Sequence, residues 1–341
     1  MTRKPDPKSQ SGNQGSSDDH DADEASDVIV FVEEKRDNGS SIGHAQKVAR
    51  AFGGKVVLVH VQRQPHKGAG PVDPVEWDIR KQQTLKWLGK LVRSAGDDDP
   101  PCEAKLLEGH CGNQIQSFLE QHRGDIAGAL RYRGDSAWNL SEVAASVLSS
   151  RSAGVLMIPQ EAELESGKSY NRILVPLDGS TRGEIALPSA VILALAENAE
   201  LVLFYVAPEP GVTEFEVKDQ DAERLHTLVC QRNEKAGRSY LTRIKNRLAQ
   251  NGLKITTRVC GSGDARRALI DAVGREKADF VVMTTHGQSG HMDVPTGDVA
   301  RFVLDRADIP VLLVRHLNGS NGNHVFGNLA SKGVRQPVGT D

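Results

Sequence analysis

In the second half of the chain, short strand-like hydrophobic runs alternate with longer segments whose hydrophobic residues have helical spacing. Strand-like runs occur at residues 173–177, 201–206, 255–259, 280–284 and 311–314, and all but the third are continuously apolar. Segments with helical spacing lie between them at residues 182–197, where Pro188 predicts a kink, 221–251, 264–277 and 298–307. Five strands alternating with four helices predict an α/β domain with a parallel sheet covered on both faces.

The first half repeats the same order of elements. Val28 matches Ile173 and Val61 matches Val206, both at an offset of 145 residues. The offset grows at predicted loops, to 151 for Gly112 and Gly263, 153 for Gly134 and Gly287, and 156 for Val155 and Val311. A drift confined to loops is typical of a duplicated domain.

Composition divides the chain into two domains, a linker and two tails. Residues 1–27 and 317–341 are rich in Ser, Gly, Asp and Asn, which predicts disorder. Residues 160–170 form a polar linker between a first domain at 28–159 and a second at 171–316.

Bulk composition narrows the classes of function. The net charge of −3 and the 4% aromatic content disfavour nucleic-acid binding. The four cysteines show no C-x-x-C pair or zinc spacing, so we expect free thiols and no tightly bound metal. The N-terminus lacks a signal sequence, and charged residues interrupt the most apolar region, 186–207, so we expect a cytoplasmic protein without a membrane partner.

The segment between the fourth strand and the fourth helix predicts a phosphate cradle. The strand ends in His286–Gly287, and Gly297 follows ten residues later at the start of a helix. Backbone N–H groups and the positive end of that helix would face one small volume. Both glycines equally suit a strand-to-helix turn, and His286 suits either a phosphate contact or a structural hydrogen bond.

These features together resemble the universal stress protein family, in its tandem two-domain form. The resemblance rests on ILVPLDGS at residues 173–180, LFYVAP at 203–208, and MTTHG-x9-GD-VARFVL-x5-PVLLVR at 283–315. It implies two doubly wound five-stranded parallel-sheet domains with strand order 3-2-1-4-5. It also implies a ligand crevice between strands 1 and 4.

The resemblance further implies an adenine-nucleotide site, for ATP or AMP, in the second domain. The family's G-x2-G-x9-G-[ST] motif falls on Thr284, Gly287, Gly297 and Asp298, so two of its four positions depart. The implied contacts are Asp178 to the nucleoside, Val206 and Met283 beside the adenine, and Pro176 on another wall. The other two candidate binding residues are His286 and Val299, and Val299 lies in the first turn of the predicted fourth helix.

Asp298 and Asp178 each allow a second interpretation. Asp298 is a good helix N-cap, a role that would place a carboxylate where a terminal phosphate binds. Arg301 or Arg182 could compensate that charge, although Arg301 also has the spacing to pair with Asp298. Asp178 precedes Gly179–Ser180 and therefore also suits a simple turn.

The first domain has lost the features of a nucleotide site. Its strand-4 exit is shorter by three residues and has no glycine equivalent to Gly297. Glu33 replaces the strand-1 aspartate, and Trp138 suits packing better than ligand contact. We therefore expect the first domain to be a structural partner.

Three functions remain open from the sequence. The favoured one is a non-catalytic stress-response module that binds a nucleotide, since P-loop, nucleophile-elbow and zinc-protease motifs are absent. The alternatives are a nucleotide hydrolase, with Asp298 as the available carboxylate, and a ligand-free scaffold. The resemblance implies pairing of the two fifth strands within one chain, and it leaves a homodimer open.

Overall fold

A computed structural model describes residues 25–34, 36, 38–63, 73–96, 100–134, 137–162, 169–209, 220–249, 252–261, 263–286 and 296–315. Gly287, His316 and nearly all of the two predicted tails lie outside these residues. Residues 25–27 are described, and they correct the predicted tail boundary because β1 already begins at Ser26.

The N-terminal half contains six strands and four helices among its described residues. They are β1 (Ser26–Phe31), α1 (Gly39–Ala51), β2 (Gly53–Arg63), α2 (Pro74–Ser94), β3 (Cys102–Gly109), α3 (Cys111–Gln121), β4 (Ile126–Arg133), β5 (Trp138–Leu140), α4 (Glu142–Ser149) and β6 (Gly154–Pro159). The short strand β5 is additional to the five predicted strands.

The C-terminal half follows the predicted order with one break. Its elements are β7 (Arg172–Leu177), α5 (Thr181–Glu184), α6 (Ala186–Glu197), β8 (Glu200–Val206), α7 (Gln220–Leu248), β9 (Ile255–Cys260), α8 (Ala265–Arg275), β10 (Phe280–Thr284), α9 (Asp298–Arg306) and β11 (Val311–Val314). The single helix predicted at 182–197 is wrong, because it breaks at Ile185. Pro188 lies in the first turn of α6, where proline is tolerated without a kink.

All the strands belong to one mostly parallel sheet. Its order is β3-β2-β1-β4-β6-β11-β10-β7-β8-β9, with β5 paired to β4 at the side. Each half thus has its first strand between the second and fourth. The halves join where β6 and β11 pair antiparallel, with Val311 opposite Met157. This pairing covers two edges that would otherwise be open to other strands.

Strand register repeats between the halves. Val28 pairs with Val56 in β2, and Ile173, 145 residues later, pairs with Leu201 in β8. On the other side, Val28 pairs with Ile126 in β4 and Ile173 pairs with Phe280 in β10. The fourth strands are therefore offset by 154 residues, one more than the predicted match of Gly134 with Gly287 assumes.

Two apolar layers cover the faces of this sheet. One layer contains α1, α6 and part of α7, represented by the buried Ala45, Leu187 and Leu241. The other contains α3, α4, α8 and α9, represented by Ile115 and Val303. Each layer continues across both halves, so the core does not divide at the linker. Among the described residues, no helix is long and apolar enough to cross a membrane.

A buried arginine of the N-terminal half holds the C-terminal half. Arg131 on β4 is fully buried and donates to the carbonyls of Leu304, Ala307 and Ile309, at and beyond the end of α9. Arg315 reciprocates from the end of β11, donating to carbonyls at the end of α4. Cations are favoured at helix C-termini, where carbonyls lack helical partners.

The last residue of the predicted polar linker lies in the core. Tyr170 is 2% exposed, and its hydroxyl lies 2.6 Å from Nδ1 of His44 on α1. Nε2 of His44 lies 2.9 Å from the carbonyl of Ala162, which can only accept, so Nδ1 accepts from Tyr170. Beside this pair, Nζ of Lys47 lies 3.1 Å from Oε2 of Glu197 on α6. The linker boundary at residue 170 is therefore corrected.

Candidate functional site

The candidate crevice lies between β7 and β10. These neighbouring strands run parallel, with Phe280 opposite Ile173, so their carboxyl ends meet at one edge of the sheet. β7 leads into α6 on one face, whereas β10 leads towards α9 on the opposite face. The diverging connections leave a gap where open α/β sheets bind ligands.

Three predicted wall residues share the α8/α9 face of the sheet. Met283 is buried in that layer and Val206 packs against it. Pro176 alternates with Val175 and Leu177, which face the opposite layer, and it pairs with Phe204. The structure therefore brings these three residues to one apolar surface at the carboxyl edge.

Asp178 forms a local turn at the end of β7. Its Oδ1 accepts from the backbone N–H of Ser180 at 3.0 Å and from the Ser180 hydroxyl at 2.6 Å. The Ser180 hydroxyl oxygen in turn accepts from the N–H of Gly183, and Ser180 thereby caps the N-terminus of α5. The turn thus fixes the exposed Asp178 carboxylate at the crevice edge.

Hydrogen bonds tie the exit of β10 to the start of α9. The N–H of Gly297 donates to the carbonyl of Thr285 at 2.8 Å. The Thr284 hydroxyl donates to the carbonyl of His286 at 3.0 Å. A Cβ atom on residue 297 would lie 3.1 Å from the Thr285 oxygen, so glycine allows this close approach.

The N-terminus of α9 differs from the prediction. Gly297, not Asp298, is the N-cap, and no side chain of the described residues caps this end. Asp298 is the first helical residue and its side chain is exposed. Val299 follows in the first turn and is 37% exposed. The capping role predicted for Asp298 is therefore wrong.

Charges around Asp298 also differ from those expected. Arg301 pairs with Asp305, one turn later, at 3.2 Å, instead of with Asp298. Arg266 on α8 binds Asp264 and is close enough to attract Asp298 weakly. Arg182 is exposed in α5. The described residues contain no group of three or more His, Cys, Asp or Glu arranged to hold a metal.

Thr296 is a residue of this site that the sequence did not single out. It directly precedes Gly297 and is 9% exposed, and its hydroxyl has no hydrogen-bond partner within the described residues. A buried hydroxyl without a partner is unfavourable in a folded protein unless another group supplies the bond. No pattern in the sequence marked it, because a threonine in a loop is ordinary.

The corresponding crevice of the N-terminal half is closed by side chains. Glu33, at the position equivalent to Asp178, accepts from the Tyr132 hydroxyl at 2.6 Å and from the Ser141 hydroxyl at 2.8 Å. By strand register, Tyr132 occupies the position of His286. Burial, and next the hydrogen bond to Glu33, raise the pKa of Tyr132, so it remains a protonated donor. Arg36 stacks on the Tyr132 ring at 3.8 Å.

The exit of β4 and the start of α4 complete this closure. β5 folds back antiparallel on β4, with Leu140 opposite Arg131. The Ser141 hydroxyl oxygen accepts from the N–H of Ala144 and caps α4. The side chain of Trp138, predicted to pack here, lies outside the described residues. A serine just before a helix is a known N-cap signal, and it could have identified Ser141 from the sequence.

Comparisons with known proteins agree with this architecture. The profile of the universal stress protein family matches residues 169–315. The chain is 29% identical over 149 residues to universal stress protein MJ0531 of Methanocaldococcus jannaschii, covering 43% of this chain and 82% of that protein. It is also 29% identical over 148 residues to universal stress protein YxiE of Bacillus subtilis, covering 43% of this chain and 99% of that protein.

A solved structure resembles nearly the whole chain. A universal stress protein from Archaeoglobus fulgidus DSM 4304 matches with a TM-score of 0.60, covering 86% of this chain and 98% of that one. At 15% sequence identity, this likeness extends the fold, and the fold alone, to the N-terminal half. Residues 169–315, which are less than half of the chain, therefore match the universal stress protein family.

Proposed function

We propose that this chain is a non-catalytic stress-response module whose C-terminal half binds one adenine nucleotide, ATP or AMP, and whose N-terminal half binds none. The contrast between two equivalent helix ends carries this proposal. Ser141 caps α4 and bonds to Glu33, whereas Gly297 leaves the N–H groups of α9 uncapped by any described side chain. Unpaired N–H groups at a helix N-terminus are a favourable environment for phosphate.

Thr296 adds a second group that favours a ligand at this end. Its buried hydroxyl makes no hydrogen bond within the described residues. A hydroxyl can donate to a phosphate oxygen and accept from water. A bound phosphate beside α9 would satisfy both this hydroxyl and the first-turn N–H groups.

The remaining predicted residues suit the nucleoside. Pro176, Val206 and Met283 offer an apolar surface for a planar base. The Asp178 carboxylate at the crevice edge is an acceptor for ribose hydroxyls. A base on an apolar wall and a sugar at a fixed carboxylate would direct the phosphates towards α9.

Asp298 favours a nucleotide with few phosphates. Its negative charge lies in the first turn of α9, beside the proposed phosphate position. Because the carboxylate is exposed, water and salt weaken its repulsion of phosphate without removing it. We therefore expect AMP to bind at least as well as ATP, and we expect no repeated turnover of Mg·ATP.

We further propose that the two halves derive from one duplicated unit that pairs with itself through its fifth strands. The repeated register about β1 and β7 supports a duplication. The antiparallel pairing of β6 with β11 supports self-pairing within one chain.

Calorimetric titration of the full chain with ATP and with AMP tests the nucleotide proposal. We expect one site per chain. In Gly297→Ser the new hydroxyl would take a first-turn N–H and the new Cβ would crowd the Thr285 oxygen, so binding should weaken at least about fivefold, equivalent to about 1 kcal/mol. The matched variant Ser141→Gly opens the other helix end and should leave binding unchanged.

Three results would contradict the proposal. No heat at millimolar nucleotide would favour a ligand-free scaffold. Unchanged affinity in Gly297→Ser would exclude α9 as the phosphate site. Steady turnover of Mg·ATP that Asp298→Ala abolishes would show a hydrolase.

A further inference from the structure

The packed face of α7 changes character along the helix. In its C-terminal part, Leu241 and Ile244 are fully buried, and Gly237 lies against the ring of Tyr205. Continuing towards the N-terminus, the same face carries Cys230 and His226. These two residues lie beyond the apolar core, near the loop that follows β8.

Cys230, His226 and Glu209 form a cluster of a nucleophile, a base and an acid. Sγ of Cys230 lies 3.8 Å from Nδ1 of His226 and 4.0 Å from its Nε2, so the imidazole edge faces the thiol. Nε2 of His226 lies 3.9 Å from Oε1 of Glu209, in the loop after β8. The side chains of His226 and Glu209 are 38% and 53% exposed, and Cys230 is half-buried. The cluster therefore lies at the protein surface.

The loop that brings Glu209 to this cluster is fixed to the same helix. Nδ2 of Asn233 donates to the carbonyl of Pro208 at 2.9 Å, one turn from Cys230. This bond holds the residue next to Glu209 against α7. The acid therefore approaches the imidazole from a separate element of the fold, and not through helical spacing.

The other cysteines lack this arrangement. Burial raises the pKa of Cys102 to about 11, and it also raises the pKa of Cys111, which is 4% exposed. Cys260 is half-buried at the end of β9 and packs against the α8/α9 layer. Since the thiolate is the reactive form, buried thiols with raised pKa values react slowly.

We propose that Cys230 is a reactive thiol that forms mixed disulfides with low-molecular-weight disulfides, with His226 as its base and Glu209 orienting the imidazole. His226 accepts the proton of Cys230, and the thiolate attacks one sulfur of the disulfide. A new S–S bond forms at Cys230 as the original S–S bond breaks. The departing thiolate takes the proton from His226 and leaves as a free thiol, so protons and electrons balance.

Reaction of the full chain with Ellman's reagent, an aromatic disulfide, tests this proposal. At pH 7 we expect a fast phase equivalent to one thiol, and Cys230→Ser should remove it. His226→Asn should slow the fast phase about tenfold, below the usual contribution of a positioned base because the pair is partly exposed. At pH 9 hydroxide replaces the imidazole as base, so the difference should shrink. Glu209→Gln should slow the phase less.

Oxidised glutathione provides the second probe. We expect mass spectrometry of the folded chain to show one adduct, which peptide mapping places on Cys230. The controls Cys102→Ser and Cys260→Ser should leave the fast phase unchanged. A fast phase that persists in Cys230→Ser would overturn the proposal, as would an unchanged rate at pH 7 in His226→Asn. Equal labelling of all four cysteines would also overturn it.

Discussion

Replacing Arg131 by methionine tests how far the two halves stabilise one another. The guanidinium of Arg131 is fully buried, and it donates to Leu304, to Ala307 at 3.2 Å and to Ile309 at 2.9 Å. Methionine retains much of the side-chain volume but has no donor. Arg131→Met therefore leaves carbonyls of the C-terminal half without their partner.

The expected loss follows from two opposing effects. Each buried carbonyl left without a partner costs about 1 to 3 kcal/mol. Removing the charge recovers part of this, because burial of Arg131 is itself unfavourable and lowers its pKa to about 9. We expect the free energy of unfolding to fall by about 3 kcal/mol.

Urea unfolding followed by circular dichroism measures this change. Arg133→Met is the matched control, since Arg133 lies two residues away, is 59% exposed and pairs with Asp308 at 3.3 Å. Exposed ion pairs contribute less than about 1 kcal/mol, so the control should change little. Equal loss in both variants would refute the role assigned to Arg131.

Three further predictions concern pH, charge and capping. Burial lowers the pKa of His44 to about 4, so between pH 6.5 and 4 the unfolded chain binds a proton that the folded chain does not bind. The free energy of unfolding should therefore fall by about 3 kcal/mol over this range. His44→Gln should flatten this part of the pH profile in urea titrations, and an unchanged slope would contradict the assignment. Asp298→Ser should strengthen ATP binding about fivefold in calorimetry, because like charges ~4 Å apart repel by about 1 kcal/mol when exposed to water; Asp271→Asn, which removes a charge from neighbouring α8, should not. Ser141→Ala should lower the free energy of unfolding by about 1 kcal/mol through loss of the α4 cap, and no loss would show that the cap contributes nothing.

Much of the C-terminal half could be predicted from periodicity alone. β10 and β11 have the predicted bounds, since continuous apolar runs bounded by polar residues leave little freedom. The break at Ile185 was missed because 182–197 has helical spacing throughout, although the Ser180 cap starts a separate single turn that ends before Ile185.

The candidate site was less predictable. At an N-cap, aspartate is locally preferred over glycine, yet the bond from Gly297 to Thr285 starts α9 one residue earlier. The partners of Arg131 could not be inferred, because they lie more than 170 residues away along the chain. Local sequence preferences predict a motif, whereas contacts between distant residues determine which of its atoms remain free to bind a ligand.

A crystal structure of the full chain with AMP would show where the nucleotide binds. We expect one nucleotide, with its phosphate at the N-terminus of α9 and its base against Pro176, Val206 and Met283. Nucleotide between Glu33 and Tyr132 in the N-terminal half, or its absence from the crevice between β7 and β10 at saturating AMP, would contradict this expectation.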